Sequence, residues 1–356
     1  MSNFDPIMKF LLLPISFLYH IILKIRHKLY DWHILKSKRF DAHVICVGNL
    51  ALGGTGKTPH VEYLINLLKE QYCVSVVSRG YGRKTKGFLL ADARCSTETV
   101  GDEPLQYVNK FNDITVAVDE NRNEAIERLS AMDRPPEVYL LDDAYQHRST
   151  QAGLNVLLTS YHKLYCEDFL VPAGTLRDIR SEAKRADLIV VSKCPADLSD
   201  REKREIIKSL KPAPHQDVFF SSMEDEPLKS VNVAADEIDP GKADAVMLFC
   251  GIANPNLLIY RIKKHYQCVD TLAFTDHHAY SEKDIETILK HYQNLKGEKK
   301  ITVTTEKDLA RLTNSPYLCQ FESVPLFVAP VSVNMHQQEE FNKKILDYVR
   351  KDHLHS

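Results

Sequence analysis

The sequence predicts an α/β protein with a doubly wound parallel sheet and a second, smaller α/β domain. From residue 42 onward, short apolar runs alternate with stretches of helical periodicity, which is the pattern of a parallel sheet covered by helices. The apolar run at 43–47 is followed by a glycine-rich segment and then by a helical stretch at 61–68. This succession of strand, loop and helix is typical of the start of a doubly wound domain.

The same pattern places the remaining strands and divides the chain. Further strands of the first domain are predicted at 73–77, 114–118, 138–141, 154–158 and 188–191. A stretch at 212–239 with several prolines and acidic residues predicts a connection, after which strands are expected at 245–250 and 300–304. We therefore expect an N-terminal segment at 1–40, a first domain at 41–222, and a smaller domain at 223–356 whose C-terminal helix can pack back on the first.

Residues 1–40 differ in character from the rest of the chain. Residues 10–25 form an apolar run of about sixteen residues, broken by Pro14 and His20, whereas a membrane-spanning helix needs about twenty. Basic side chains crowd the C-terminal flank of this run, which is typical of a helix lying on an anionic cytoplasmic membrane surface. A signal peptide would carry its charge before the run and end in a cleavage site, and this sequence offers no such site. We expect a membrane-associating helix; the alternative is a helix that packs on the first domain.

Composition excludes some classes of function. The formal net charge of −2 gives no chain-wide attraction to nucleic acid, so a dedicated DNA or RNA binder is disfavoured. The eight cysteines are scattered, without the spacing of a metal site, and are expected to be reduced thiols. No segment of the sequence predicts an obligate protein partner.

The strongest motif lies between the first strand and its helix and reads A-L-G-G-T-G-K-T at residues 51–58. In a P-loop of this kind the glycines let backbone N–H groups surround phosphate oxygens, Lys57 reaches the terminal phosphates, and the Thr58 hydroxyl binds Mg²⁺. The strict pattern has glycine where this chain has Ala51. The position of the motif between a strand and a helix predicts a P-loop NTPase-like domain that binds a nucleotide.

A second motif is the apolar strand at 138–141, which ends in Asp142 and Asp143. Parallel sheets bind ligands beyond the carboxyl ends of their strands, so either aspartate could hold Mg²⁺ near Thr58. The alternative for an isolated pair of aspartates is a turn at the end of a strand. The phosphate loop upstream favours the magnesium site.

Other nucleotide-binding classes fit less well. The ATPases that position partitioning or metal-delivery machinery carry a lysine where this chain has Leu52. A GTPase should present N-K-x-D after a late strand, but the nearest candidate is S-K-C-P at 192–195, with Pro195 in place of the aspartate that reads guanine. ATP is therefore the expected nucleotide.

Seven segments, taken together, resemble the tetraacyldisaccharide 4'-kinase family, which phosphorylates a lipid A precursor on the cytoplasmic face of the bacterial inner membrane. They are V-G-N-L-A-L-G-G-T-G-K-T-P (47–59), S-R-G-Y-G-R (78–83), V-G-D-E-P (100–104), D-D-A-Y-Q-H-R (142–148), V-P-A-G-T-L-R-D (171–178), F-C-G-I-A-N-P (249–255) and T-D-H-H-A-Y (275–280). The chain departs from the family at Ala144, where glycine is usual, and at Asp178, where many members have Glu-Pro after the arginine.

The resemblance implies ATP-dependent, Mg²⁺-assisted phosphorylation of the 4'-hydroxyl of a tetraacyldisaccharide 1-phosphate at a membrane surface. The nucleotide site implied by the resemblance consists of Gly53, Gly54, Thr55, Gly56, Lys57, Thr58 and Pro59. Thr58 and Asp142 would bind the metal, and Lys57, Asp142 and Asp143 would take part in catalysis. The residues predicted to bind the substrate are Arg79, Arg83, Arg122, Gln146, His147 and Arg177. Arginine suits phosphate recognition and the implied precursor bears a phosphate, whereas the alternative for Arg79, Arg83 and Arg122 is a solvated surface position.

The resemblance also implies that Asp102 and His277 form the base that activates the sugar hydroxyl, although they lie in different predicted domains, so the active site would close at their interface. His278 is the alternative to His277. The alternative, purely structural role for Asp102 is the N-cap of the helix that begins near Pro104. The segment T-E-K-D at 305–308 could contact nucleotide.

Two hypotheses of function follow. The first is the lipid A precursor kinase, and the second is a nucleotide-dependent switch or assembly protein, an ATPase or GTPase whose hydrolysis drives a partner. The basic, apolar N-terminus and the D-H-H segment at 276–278 favour the kinase.

Overall fold

The structure is a computed structural model that describes residues 6–313 and 315–351. Its helices are α1 (Pro6–Asp31), α2 (Lys57–Leu68), α3 (Thr97–Val100), α4 (Asp102–Lys110), α5 (Arg122–Ser130), α6 (Asp200–Leu210), α7 (Val233–Asp236), α8 (Asn256–His265), α9 (Glu282–Asn294), α10 (Glu306–Leu312) and α11 (Gln338–Arg350). Its strands are β1 (Lys38–Arg39), β2 (His43–Asn49), β3 (Val74–Ser78), β4 (Leu89–Ala91), β5 (Thr115–Val118), β6 (Val138–Asp142), β7 (Thr150–Gln151), β8 (Leu154–Ser160), β9 (Leu188–Ser192), β10 (Asp217–Asp225), β11 (Lys229–Ser230), β12 (Ala245–Cys250), β13 (Cys268–Ala273), β14 (Lys300–Thr305), β15 (Leu326–Ala329) and β16 (Val331–Met335).

The chain divides into two compact units, neither of which is continuous in sequence. Among the described residues, the first unit contains residues 6–79, Asp113–Glu224 and residues 333–351. The second contains Gly80–Asn112 and Asp225–Ser332. Each unit has its own sheet and core.

The first unit is built on a sheet with the strand order β16-β10-β9-β8-β2-β6-β3-β5. The pairs from β10 to β5 are parallel. The central strands are apolar and buried along their whole length, because helices cover both faces of such a sheet. The strand order reverses beside β2, which is where doubly wound sheets bind ligands.

The second unit has a smaller sheet with the order β11-β15-β14-β12-β13. All its pairs are parallel except β11 with β15. Strand β12 is buried throughout and separates two apolar clusters, one containing Val246 and Leu248 and the other containing Met247 and Phe249. The alternation along β12 places helices on both faces of this sheet too.

The α/β class, the parallel sheets and the strands predicted from the sequence are confirmed, with ends that differ by one or two residues. The structure differs from the predicted boundaries in three places. Residues 80–112 belong to the second unit, residues 333–351 to the first, and the predicted connection at 212–239 contains β10. Strand β10 pairs with β9 and buries Phe219 and Phe220, so its apolar side chains extend the first sheet.

Helix α1 packs on the first unit along one side and exposes aliphatic and aromatic side chains on the other. Ser16, Leu23 and His27 are buried, whereas Phe10 and Phe17 are 73% and 66% exposed. Within the described residues, α1 is the one helix whose length and apolar character suffice to cross a membrane, over Phe10–Asp31. The two alternatives predicted for residues 10–25, membrane association and packing on the first domain, therefore concern one helix with a packed side and an exposed side.

Candidate active site

The phosphate loop connects β2 to α2 in the first unit. Gly53 has φ of +100° and Gly56 has φ of +82°, a region that L-residues rarely adopt. A Cβ atom on Gly56 would also lie 2.5 Å from Cε of Met223. Glycine is thus required directly before Lys57, where the helix begins and its first N–H groups are free to bind an anion.

Several hydrogen bonds fix the shape of this loop. The amide nitrogen of the Asn49 side chain donates to Oγ1 of Thr55 at 2.8 Å, and Oγ of Ser192 donates to the carbonyl oxygen of Thr55 at 2.7 Å. The backbone N–H of Leu52 donates to the carbonyl oxygen of Thr175 at 2.7 Å. Because these partners lie on strand ends and on a buried segment, the loop is held from both sides.

The two aspartates after β6 have different surroundings. Asp142 is buried as the last residue of the strand and pairs in register with Val47 of β2, just before the phosphate loop. Asp143 has φ of +49° and lies 3.7 Å from Nζ of Lys57 through Oδ2. Arg177 binds both carboxylate oxygens of Asp143. The structure therefore brings Lys57, Asp143 and Arg177 into one ion cluster.

Charge governs the protonation of this cluster. Burial raises the pKa of Asp143, but Lys57 and Arg177 outweigh that effect and hold the pKa below its usual value. Asp143 is thus an anion at neutral pH.

Arg122 and His147 lie in the same electrostatic neighbourhood. Arg122 is 3% exposed and donates from Nη1 to the carbonyl oxygen of Asp119 at 3.0 Å, so it is no surface residue. Burial, together with the charges of Arg122, Arg26 and Arg79, lowers the pKa of His147 to about 4. His147 is neutral at physiological pH, beside three arginines that favour an anionic ligand.

Arg26 belongs to this region but lies in none of the motifs that the sequence analysis used. Arg26 of α1 donates from Nη2 to the backbone oxygen of Gln146 at 3.1 Å, and Gln146 in turn donates from Nε2 to the backbone oxygen of Asn49 at 2.8 Å. Asn49 also accepts from Nη2 of Arg177 through Oδ1 at 2.6 Å. Arg26 was assigned only to the basic flank of the apolar run, and its distance from Gln146 in the sequence conceals the contact.

In the second unit, Asp102 and His277 form a hydrogen-bonded pair. Nδ1 of His277 donates to Oδ2 of Asp102 at 2.8 Å. This bond raises the pKa of His277 above its usual value, against the effect of burial. Burial raises the pKa of Asp102, but the bonds from His277 and Arg311 outweigh it, so that pKa is lowered. The pair lies within one unit, which corrects the expectation that its members belong to different domains.

The structure distinguishes the two histidines and removes the capping role of Asp102. His277 has φ of +57°, whereas His278 bonds through Nε2 to Oδ2 of Asp284 at 3.1 Å. The N-cap of α4 is Gly101, and Asp102 is the first residue of the helix. Its side chain is therefore directed to His277 and Arg311 rather than to the N–H groups of its own helix.

The segment after β14 is engaged within the second unit. Thr305 caps α10 by accepting from the backbone N–H of Asp308, and Nζ of Lys307 lies 2.8 Å from Oε1 of Glu103. Asp308 is fully buried. The buried position of Asp308 argues against the expected nucleotide contact there. The sequence analysis did not single out Arg311, the residue that binds Asp102, because the two lie far apart in the chain.

Arg83 belongs to the second unit, where its Nη2 donates to the carbonyl oxygen of Gly87 at 2.8 Å. Arg79 and Arg122 belong to the first. The substrate residues implied by the resemblance are thus divided between the units.

Comparison with known proteins identifies the chain. The family model described as tetraacyldisaccharide-1-P 4'-kinase (LpxK) matches residues 8–350. The chain belongs to the tetraacyldisaccharide 4'-kinase family. It is 42% identical to the tetraacyldisaccharide 4'-kinase of Bacteroides thetaiotaomicron, over 96% of this chain and 93% of the relative. It is 43% identical to that of Flavobacterium johnsoniae, over 96% of this chain and 97% of the relative.

The fold of this family member also matches a solved structure. Its structure resembles that of LpxK from Aquifex aeolicus in complex with ATP, with a TM-score of 0.73 and 28% identity over 97% of this chain and all of that one. The resemblance found in the sequence is confirmed, and the chain is a kinase. A switch or assembly protein is not favoured.

Proposed function

We propose that the chain transfers the γ-phosphoryl group of ATP to the 4'-hydroxyl of a tetraacyldisaccharide 1-phosphate lipid A precursor, and that the Asp102–His277 pair is the base. The family supports the reaction. The observation that carries the assignment of the base is the 2.8 Å hydrogen bond between His277 and Asp102, which no contiguous motif dictates. A sugar hydroxyl is a weak acid, so its attack on phosphorus needs a positioned proton acceptor.

The first unit would bind the phosphates. Backbone N–H groups of Gly53, Gly54 and Gly56, together with those of Lys57 and Thr58 in the first turn of α2, would provide the donors that phosphate oxygens require; Pro59 has no N–H to donate, and the N–H of Thr55 donates to the carbonyl oxygen of Gly53. Lys57 would neutralise charge that develops on the transferred group. Its present partner, Asp143, is 34% exposed, so a phosphate can compete for the ammonium group without a large desolvation cost.

Mg²⁺ fits the donors beside this loop. Thr58 offers a hydroxyl and Asp142 a carboxylate, and hard oxygen ligands of this kind suit the ion. Mg²⁺ is usually held by one or two protein side chains together with substrate phosphates and water. When bound, Mg²⁺ would neutralise phosphate charge, while Asp142 and Thr58 hold it in place.

In the second unit, His277 would accept the proton of the 4'-hydroxyl at Nε2. Its Nδ1–H is committed to Asp102, so the neutral imidazole presents Nε2 as the acceptor. The side chain of His277 is 38% exposed and can reach a substrate. After transfer, the proton resides on Nε2 and the imidazolium is stabilised by the carboxylate of Asp102.

The arginines near His147 would bind the anionic part of the precursor. Arg79 and Arg122 add positive charge around a neutral imidazole, and a neutral His147 can still donate one hydrogen bond to a phosphate oxygen. Gln146 and Arg177 lie on the segments that Asn49 ties to the phosphate loop.

Helix α1 would hold the enzyme at the cytoplasmic face of the inner membrane, where an acylated substrate resides. Its exposed side carries aromatic and aliphatic side chains, and its buried side is fixed to the first unit. Burying such a face in the headgroup region is favourable, and the basic flank adds attraction to anionic lipids.

The test is a phosphorylation assay with purified protein, ATP, Mg²⁺ and a detergent-dispersed disaccharide 1-phosphate, followed by product mass. We expect a gain of one phosphate at the 4' position. Asp102→Asn and His277→Ala should each lower kcat by roughly 10²-fold while ATP binding persists, and the double variant should be little worse than either. His278→Ala is the matched control and should lose far less. Multiplicative losses, or a larger loss at His278, would contradict the assignment of the base.

A further inference from the structure

Arg311 lies on α10 and, like His277, binds the carboxylate of Asp102. Its Nε and Nη2 atoms donate to Oδ2 of Asp102 at 2.9 and 2.7 Å. This is the same oxygen that accepts from Nδ1 of His277. Three N–H groups therefore converge on one carboxylate oxygen, and the position of that oxygen is set by donors on two different segments.

Arg311 is itself fixed by a fully buried carboxylate. Nη1 of Arg311 donates to Oδ1 of Asp308 and to the carbonyl oxygen of Gly251, both at 2.7 Å. The side chain of Arg311 is 4% exposed and that of Asp308 is 0% exposed. A guanidinium group with this many fixed acceptors cannot turn without leaving a buried charge unpaired, which is costly.

The same aspartate also anchors the segment that carries His277. Oδ1 of Asp308 accepts from the hydroxyl of Tyr280 at 2.9 Å and from the backbone N–H of Gly251 at 3.0 Å. A Cβ atom on Gly251 would lie 3.0 Å from the carbonyl oxygen of Thr275, so this segment packs directly on the end of β12. Asp308 thus restrains Asp102 through Arg311 and His277 through Tyr280.

We propose that Arg311 is the positioning residue of the base. It orients the Asp102 carboxylate toward Nδ1 of His277, and through Asp308 it fixes the positions of both side chains relative to each other. This inference rests on the proposed role of Asp102 and His277. The left-handed backbone of His277, with φ of +57°, is a conformation that persists when surrounding contacts enforce it. The contacts of Tyr280 with Asp308 provide such enforcement.

A purely structural clamp between α4 and α10 is the competing explanation, and two other ion pairs already serve that purpose. Lys307 binds Glu103 at 2.8 Å, and Lys110 binds Glu306 at 2.8 Å. Both pairs join the same two helices without touching Asp102. Arg311 differs because its bonds end on the carboxylate of the base.

The experiment compares Arg311→Met and Arg311→Lys with the matched control Arg261→Met. Arg261 binds Asp225 and the carbonyl oxygens of Glu226 and Pro330 in the same unit, so its loss also removes an arginine paired with an aspartate and with backbone oxygens. We expect Arg311→Met to lower kcat by roughly 10²-fold with an unchanged KM for ATP, because a misplaced base costs that much. Arg311→Lys should lie between Arg311→Met and wild type, and Arg261→Met should keep wild-type kcat.

A double-mutant cycle separates positioning from general damage. Arg311→Met combined with His277→Ala should be no slower than His277→Ala alone, because a positioning residue has no effect once the base is absent. A wild-type kcat in Arg311→Met, or losses that multiply in the double variant, would overturn the proposal. If Arg311→Met does not fold, Arg311→Lys carries the same cycle with the same outcomes. Near-normal turnover in Asp102→Asn and His277→Ala would instead remove the proposed base itself.

Discussion

Two carboxylates, Asp143 in the first unit and Asp102 in the second, are both bound by an arginine in very different surroundings. Arg177 binds both oxygens of Asp143, Lys57 lies 3.7 Å from Oδ2, and the Asp143 side chain is 34% exposed. Asp102 accepts three hydrogen bonds on one oxygen and is 12% exposed. Partners of a partly exposed ion pair exchange at a lower cost than the partners of a buried charge. The first unit is thus suited to exchanging ligands, and the second to holding a base in one geometry.

The largest expected effect tests the exchangeable side of this comparison. Lys57→Ala and Thr58→Ala should each reduce kcat by roughly 10²–10³-fold, because they remove the proposed charge stabilisation and the proposed metal ligand without changing the proposed base. Turnover in the phosphorylation assay at saturating ATP is the measurement. The control is Lys69→Ala, which should retain activity. Lys69 directly follows α2 and pairs with Asp113. Normal turnover in either active-site variant would mean that ATP binds elsewhere.

The fixed side of the comparison predicts a shift in the pH dependence. His277 must be neutral to accept a proton, and its hydrogen bond to Asp102 raises its pKa above 6.5. Activity should therefore fall as the pH drops through a value above 6.5, and the acidic limb of kcat/KM should move to lower pH in Asp102→Asn, which lacks the stabilising charge. His278→Ala should leave the limb where it is. An unmoved limb in Asp102→Asn would show that another group titrates.

A smaller effect concerns the exposed side of α1. Phe10→Ser with Phe17→Ser should lower partition onto anionic vesicles by roughly 10-fold or more, since each buried phenyl group contributes about 1.5–3 kcal/mol. Cosedimentation with vesicles measures the change, and activity on detergent-dispersed substrate should persist. Val233→Ser removes a side chain that is 74% exposed on the second unit and should leave partition unchanged. Equal vesicle binding by the double variant and wild type would indicate that the exposed side of α1 does not contact lipid.

The smallest expected effect concerns the ion pairs that join α4 and α10 without contacting Asp102. Glu306→Gln breaks the pair with Lys110, whose two side chains are 22% and 19% exposed. The free energy of unfolding should fall by about 1 kcal/mol or less, and kcat should stay at the wild-type value. Chemical denaturation and the phosphorylation assay measure the two. A large loss of kcat would mean that the orientation of the helices, rather than Arg311 alone, sets the base.

The comparison between the units also explains what the sequence could reveal. The phosphate loop and the aspartates after β6 follow apolar strands directly, so the local pattern placed them correctly beside each other. Arg311 and Asp102 are joined by packing between helices that are distant in the chain, and no local pattern encodes that contact. Strand β10 was not predicted because its short apolar segment lies within a polar and proline-rich stretch. The discontinuous units were not predicted because long-range contacts, which no local pattern encodes, decide which segments belong to each unit.

Tyr348 connects the C-terminal helix, α11, to β2, the strand that precedes the phosphate loop. The hydroxyl of Tyr348 on α11 accepts from the backbone N–H of Val44 at 3.0 Å and donates to its carbonyl oxygen at 3.1 Å. Residues 333–351 belong to the first unit, so we expect this unit to be completed only after the ribosome has released them, whereas all residues of the second unit precede 333. Because domains fold as units while the chain emerges, we expect the second unit to form before the first.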